Sequence, residues 1–201
     1  MLYYLIQNST LTNEPRSKDY WQLVWLKFTT GDRNSFEEIY MEFADHLFAY
    51  GSKITTDREL LKDCIQDLFI DLYKYRPKLK NPELLEFYLY KSLKRSIIKR
   101  LRKDKHLQDF NQEFNSFNLI FFSENEGFQD DLHNDYLESL QQALLTLDDK
   151  KRELLFLKFN SSLNYNEIGD LLKIKPETAK KQVYRIVQHL RENFGSKTEE
   201  P

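Results

Sequence analysis

Four carboxylates recur at every fourth position, Glu59, Asp63, Asp67 and Asp71, with Gln66 among them. On a helix that spacing places them in one row. Such a row has three uses. It can hold a divalent cation for metal-assisted phosphodiester cleavage. It can present a negative ridge to a basic protein surface. It can also simply keep one helix face in water. The cleavage chemistry needs more ligands than the row supplies, and the neighbouring sequence offers no His and no Gly-rich loop. Beside the ridge run Leu68, Phe69 and Leu72, apolar residues that suit a docking surface better than a metal site.

A second group has the opposite sign. Lys91, Lys94, Arg95, Lys99, Arg100, Arg102, Lys103 and Lys105 crowd one helix-length stretch. Like charges at i,i+4 repel, so so many cations on one helix imply a polyanion that relieves the repulsion and releases its counterions. Tyr73, Tyr75, Phe87, Tyr88 and Tyr90 lie close by in sequence. Aromatic faces beside a basic track suit single-stranded or melted DNA, because every base offers a π-face to stack on.

The third group ends the chain. Asn164 and Glu167 have the spacing of a capping box that opens a short helix through Ile168, Leu171 and Leu172. Lys173 to Pro176 makes a turn, and a second helix follows. One face of it is Ala179, Val183, Ile186 and Leu190; the other shows Thr178, Lys180, Lys181, Tyr184 and Arg185. This is the pattern of a helix-turn-helix. The donors on the outer face of the second helix are placed to meet base edges and phosphates in a major groove. Gly169 sits where the two helices must approach closely.

Composition narrows the remaining classes. A single cysteine, Cys64, excludes an intramolecular disulfide and fits a reducing cytoplasm. The four histidines are scattered without metal spacing, so no metal and no cofactor is expected, and no catalytic residue is assigned. The apolar start, residues 1–6, lacks the basic leader and cleavage site of a signal peptide. No apolar run approaches the roughly 20 residues that span a bilayer. The formal net charge of −2 alone would argue against a nucleic-acid partner, but the charge is strongly segregated along the chain.

The elements that must position these groups are helices. Glycine and proline are few and fall mostly between periodic segments. Trp21, Val24, Trp25 and Phe28 open a first block, which breaks at Gly31-Asp32. Phe36, Ile39, Tyr40, Phe43, Leu47 and Tyr50 follow on one helix face. Thr56 and Glu59 have capping-box spacing before Leu60, Leu61, Cys64, Ile65, Leu68, Phe69 and Leu72, and Pro77 stops that helix. Asn81-Pro82 reads as a restart, leading to Leu85, Tyr88, Leu89, Leu93, Ile97 and Leu101. Residues 106–134 have no sustained period and are rich in Asn, Gln, Ser, Asp and Glu, as an acidic flexible linker is. A second block carries Tyr136, Leu137, Leu140, Leu144 and Leu147. Asp148-Asp149 then caps a helix with Leu154, Leu155 and Phe159. The expected fold is all-α: two helical domains at 19–105 and 135–196, a linker at 106–134, an N-terminal extension at 1–18 and a tail at 197–201.

In order and spacing these groups resemble the sigma-70 family of RNA polymerase specificity subunits, and within it the short extracytoplasmic-function (ECF) group. The likeness covers nearly the whole chain after residue 19. Gly31-Asp32 with Ser35-Phe36-Glu37-Glu38-Ile39-Tyr40 looks like the opening of the family's first domain. Asp63, Gln66, Asp67 and Phe69 fit its D-x-x-Q-[DE]-x-F pattern. Tyr88 through Lys103 resembles its promoter-melting helix. Tyr165 to Gly169, Pro176 to Lys181, and Tyr184-Arg185 resemble its −35-binding domain. The resemblance implies that Asp63, Gln66, Asp67 and Phe69 dock on the clamp helices of the largest subunit of core RNA polymerase. It implies that Lys91, Lys94, Arg95, Lys99, Arg100, Arg102 and Lys103 bind the −10 element and its opened strand. Thr178, Lys180, Lys181, Tyr184 and Arg185 would read the −35 element, in a domain that also holds the flap of the second-largest subunit. An anti-sigma factor is a further partner the family admits. Arg95, Lys99, Ala179, Lys181 and Lys175 depart from common family choices, which bears on promoter sequence rather than on class. A conventional helix-turn-helix regulator, dimeric on a palindrome, is the alternative; it accounts for the end of the chain but not for the first block.

Overall fold

The structure is a computed structural model and describes residues 18–79, 85–104, 117 and 140–195. All the regular structure among them is helical. The helices are α1 (Lys18–Thr29), α2 (Arg33–Gly51), α3 (Arg58–Tyr75), α4 (Leu85–Asp104), α5 (Asp149–Asn160), α6 (Tyr165–Leu172) and α7 (Pro176–Gly195), with a 3-10 turn at Arg76–Lys78. Residues 140–145 are also helical. The linker apart from Phe117, the expected restart at Asn81-Pro82, the opening of the second block at Tyr136 and Leu137, and Lys105 lie outside the described residues.

Two compact units are distinguished, one built on α1–α4 and the other on the last three helices. In the first, the four helices pack α1 on α2, α2 on α3, and α4 on both α2 and α3. The expected stripes form its core: Val24, Trp25 and Phe28 from α1; Ile39, Phe43, Leu47 and Tyr50 from α2; Leu61, Cys64, Ile65, Leu68, Phe69 and Leu72 from α3; Leu85, Leu89, Leu93 and Ile97 from α4. Each fully buried aliphatic side chain contributes about 1.5–3 kcal/mol. Periodic stripes of this kind fix the rotation of each helix, and so decide which polar residues are left outside.

The junctions explain where the helices start. Gly31 takes φ +101, a conformation open to glycine, and turns the chain between α1 and α2. The Ser35 N–H then donates to Asp32 Oδ2 at 2.9 Å, and its hydroxyl to the same oxygen at 2.6 Å, capping α2. At α3 the sequence expectation needs correcting. The cap is Asp57, whose Oδ1 accepts the Leu60 N–H at 3.0 Å. Thr56 is exposed, and Glu59 pairs with Lys62 at 2.8 Å. An aspartate one residue later reaches the same free N–H groups and displaces the Thr56–Glu59 box. Pro77 falls inside the 3-10 turn just after α3 ends at Tyr75, as a residue without an N–H should.

In the second unit, Leu140, Leu144, Leu154, Leu155, Phe156, Leu157, Ile168, Leu171 and Leu172 are buried together with one face of α7. Phe117 is buried too, its ring 5.7 Å from that of Phe156. Helix α5 differs from its expected single stripe. Five consecutive residues, Glu153 to Leu157, are buried, while Phe159 is half-buried.

Candidate functional site

Helix α3 turns Asp63, Gln66 and Asp67 to solvent and Leu61, Cys64, Ile65, Leu68 and Leu72 inward. The predicted ridge therefore exists. Phe69 does not belong to its surface. It is 3% exposed, with its ring 4.8 Å from Tyr40 and 6.3 Å from Phe36. Its place is beneath the ridge, holding α3 on α2, so direct docking by Phe69 is corrected to support of the residues above it. On the ridge's own stripe, three residues beyond Asp67, stands Ile70, 54% exposed. Sequence reading passed over it; the available signal was a lone β-branched apolar residue on an otherwise polar helical face. Tyr40, counted with the core stripe, is likewise largely exposed beyond its contact with Phe69. Among the described residues no three His, Cys, Asp or Glu side chains are grouped to hold a metal, so the cleavage reading of the carboxylates gains nothing.

Helix α4 carries the cations. Lys91, Arg95, Lys99, Arg102 and Lys103 are exposed, and Lys94 is partly so. The Lys91 ammonium lies 4.8 Å over the Phe87 ring. At the end of α3, Lys74 and Lys78 lie 5.4 and 5.9 Å from the exposed ring of Tyr75, and the Arg76 guanidinium stacks 4.1 Å over Tyr73. Tyr75 thus offers a π-face amid cations. Tyr90 does not: it is fully buried against Tyr50, with ring centroids 4.9 Å apart, so it is struck from the stacking set.

Arg100 belongs to the same row and turns towards α3. It is 32% exposed and reaches across to α3, with Nη1 3.6 Å from Asp63 Oδ2 and Nη2 bonded to Asp67 Oδ2. The sequence holds both partners, but their meeting depends on the registry of two helices, which no single-helix pattern reports.

In the second unit the expected capping box is present. Asn164 Oδ1 accepts the Asn166 and Glu167 N–H groups at 2.9 and 3.1 Å, and Glu167 Oε2 accepts the Asn164 N–H at 2.7 Å. Helix α6 ends on Lys173, at φ +56, and the Ile174 N–H returns to the Gly169 carbonyl at 2.9 Å. A Cβ on Gly169 would come within 2.7 Å of the Ile174 carbonyl oxygen and 3.4 Å of the Pro176 nitrogen. Glycine is what lets the turn fold down onto α6. Pro176 then occupies the first position of α7, where no N–H is needed. Ala179, Val183, Ile186 and Leu190 face inward. Thr178, Lys180, Lys181, Tyr184 and Arg185 are all exposed, Tyr184 at 69%.

These two surfaces can be set beside known proteins. The profile for Sigma-70 region 2 matches residues 39–107, which span most of α2 and all of α3 and α4. RNA polymerase sigma factor YlaC of Bacillus subtilis (strain 168) is 25% identical over 177 residues, covering 84% of this chain and 96% of that protein. The chain carries a Sigma-70 region 2 domain. The ECF RNA polymerase sigma factor SigW of the same strain is 26% identical over 173 residues, covering 82% of this chain and 91% of that one. Two solved structures share the fold of this chain. The sigma factor RpoE, solved with the anti-sigma factor NepR from Bartonella quintana, has a TM-score of 0.55 at 19% identity and covers 82% of this chain and 98% of its own. CnrH, solved with the cytosolic domain of CnrY, has a TM-score of 0.53 at 12% identity and covers 90% of this chain and 99% of its own. The region 2 match encloses both the acidic ridge and the basic helix. The helix-turn-helix lies outside it and rests on its own geometry and on the longer alignments. No described helix is long and apolar enough to cross a membrane.

Proposed function

We propose that this chain is the promoter-specificity subunit of a bacterial RNA polymerase, an ECF-type sigma factor that recruits core enzyme, recognises a two-part promoter and helps open it, with no reaction of its own. The observation that carries the reading is the pairing of an acidic ridge and a basic helix within a region 2 match, on a chain that ends in an exposed basic helix of helix-turn-helix geometry. The domain at 19–105 engages core polymerase and the −10 element; the domain at 135–196 engages the −35 element and the flap.

Asp63, Gln66 and Asp67, with Ile70 and Tyr40 as apolar neighbours, form the surface for the clamp helices of the largest subunit. Complementary charge steers such an encounter and fixes its register. Lys91, Lys94, Arg95, Lys99, Arg102 and Lys103 follow the −10 DNA and its opened strand, where phosphate neutralisation dominates affinity. Thr178, Lys180, Lys181, Tyr184 and Arg185 lie in the major groove at −35. Solved relatives in complex with an anti-sigma factor and with a cytosolic partner domain support an inhibitory protein partner for this chain too. A buried free thiol, Cys64, and the location of polymerase and chromosome support a cytoplasmic site of action.

The reading is tested by reconstitution with purified core polymerase. The chain is expected to bind core and to direct initiation from a subset of a genomic promoter library. Asp67→Lys, an exposed charge reversal, should abolish core binding while helical content stays unchanged and the thermal midpoint falls only slightly, by the loss of one exposed ion pair. A chain that ignores core yet binds duplex DNA as a stable dimer would instead be a conventional regulator.

A further inference from the structure

The two surfaces assigned above share one residue. Arg100 belongs by sequence to the basic row of α4, yet its guanidinium spans Asp63 and Asp67 on α3. It is 32% exposed, and the two carboxylates are 66% and 61% exposed, so either side of the bridge is within reach of a competing partner from solvent. We propose that this bridge is an electrostatic latch. In the free chain it neutralises the carboxylates offered to polymerase and withholds one cation from the track offered to DNA.

The inference rests on the sigma-factor reading and adds regulation to it. A basic surface docking on Asp63 and Asp67 takes over their negative charge and releases Arg100 to a phosphate. A phosphate that captures Arg100 bares the two carboxylates. Coupling of this kind is reciprocal, so each partner strengthens the other by the same factor. Its size is bounded by what an exposed ion pair contributes, which converts to about a three- to five-fold change in affinity. The latch thus weakens the free chain's hold on each partner taken singly, and that cost is met only once when both are bound.

A four-member cycle on the full-length chain tests it. The probe is a fluorescein-labelled single-stranded oligonucleotide of mixed sequence, read by anisotropy without polymerase. Wild type, Asp63→Asn with Asp67→Asn, Arg100→Gln, and the triple variant are compared. The paired Asn substitutions should tighten DNA binding about three- to five-fold when Arg100 is present and far less when it is Gln. An equal gain in both backgrounds would mean general charge removal and overturn the latch, as would no gain at all. Core polymerase provides a second readout. Arg100→Gln should tighten core binding by a similar factor, because it uncovers the carboxylates. A bridge that only braces α3 against α4 predicts weaker core binding, and that result would also overturn the proposal. Lys99→Ala with Lys103→Ala separates the two levels. If this pair leaves DNA affinity unchanged, the basic row is not the DNA surface, and the sigma-factor reading of α4 falls together with the latch. If it weakens DNA binding while the cycle is additive, the latch alone falls.

Discussion

Tyr90 carries a hydroxyl with no hydrogen-bond partner although its ring is fully buried beside Tyr50. Burial, with Glu86 adding to it, drives the phenol's pKa far above its ordinary value, so the group stays neutral. A buried hydroxyl left unsatisfied costs about 1–3 kcal/mol, whereas the ring alone packs without penalty. Tyr90→Phe is therefore expected to leave stability unchanged or raise it by about 1 kcal/mol in denaturant melts; a clear loss would mean that the hydroxyl is satisfied in solution. Asp148, exposed at the start of α5, is shifted the opposite way. Desolvation raises its pKa, but the Lys151 side chain and N–H, as hydrogen-bond donors, and the nearby Lys151 and Arg152 charges outweigh it and hold the carboxyl below its ordinary value. A pKa depressed on folding gives stability that is present above the unfolded value, about 4, and drains away as pH falls through the folded value. Asp32, held low by the Ser35 hydroxyl and N–H, has the same sign. Asp148→Asn keeps a cap acceptor and removes the titration. Its thermal midpoint should fall less steeply than that of the wild type as pH is lowered from 6 towards 3, and parallel curves would refute the assignment.

At the scale of the element, α6 depends on its ends. It is eight residues long, too short to persist on helix propensity alone, so its capping box and its glycine turn carry much of its stability. Asn164→Ala should cost about 1 kcal/mol and Asn164→Ser much less. Gly169→Ala forces a Cβ against the Ile174 carbonyl and should cost more than the cap, with −35-dependent transcription lost before core binding is. Transcription assays on promoters with and without a −35 element, alongside thermal melts, check both. This element was legible in the sequence because each of its signals is local: Asn164 and Glu167 three apart, a glycine before a turn, a proline after it. The amphipathic helices α2, α3 and α4 were legible for the same reason. What escaped was whatever a second element decides. Asp57 rather than Thr56 caps α3 because two neighbouring residues compete for the same N–H groups. Phe69 and Tyr90 sit in motifs read as surface, but the rotation that packs Leu68 and Leu89 turns them inward too. Helix α5 is buried across five successive residues, which erases the stripe on which periodicity depends. Arg100 meets its carboxylates only once α3 and α4 are in register.

For the whole molecule the argument is one of charge held apart. A net charge of −2 conceals seven Lys and Arg against two acids on α4, and a segment at 106–134 with six acids and neither Lys nor Arg. A chain that mixed these charges would have little affinity for a polyanion. Sorted, the same residues give one basic track along α4 and another on α7, with the acidic ridge of α3 left for a protein. Counterion release makes this sorting measurable, because affinity for DNA falls with the logarithm of salt concentration in proportion to the phosphates neutralised. Removing Lys99 and Lys103 together from the full chain in its complex with core polymerase should lower the salt slope of promoter binding by about 1.5 to 2. It should weaken all promoters alike, since phosphate contacts position the DNA without reading it. Lys181→Ala with Arg185→Ala should instead change the ranking of promoters that differ at −35, because the proposed docking of α7 sets these residues against base edges as well as phosphates. If both pairs shift the slope and neither changes the ranking, α7 acts as a second phosphate clamp, and sequence must be read by α4 and the melted strand.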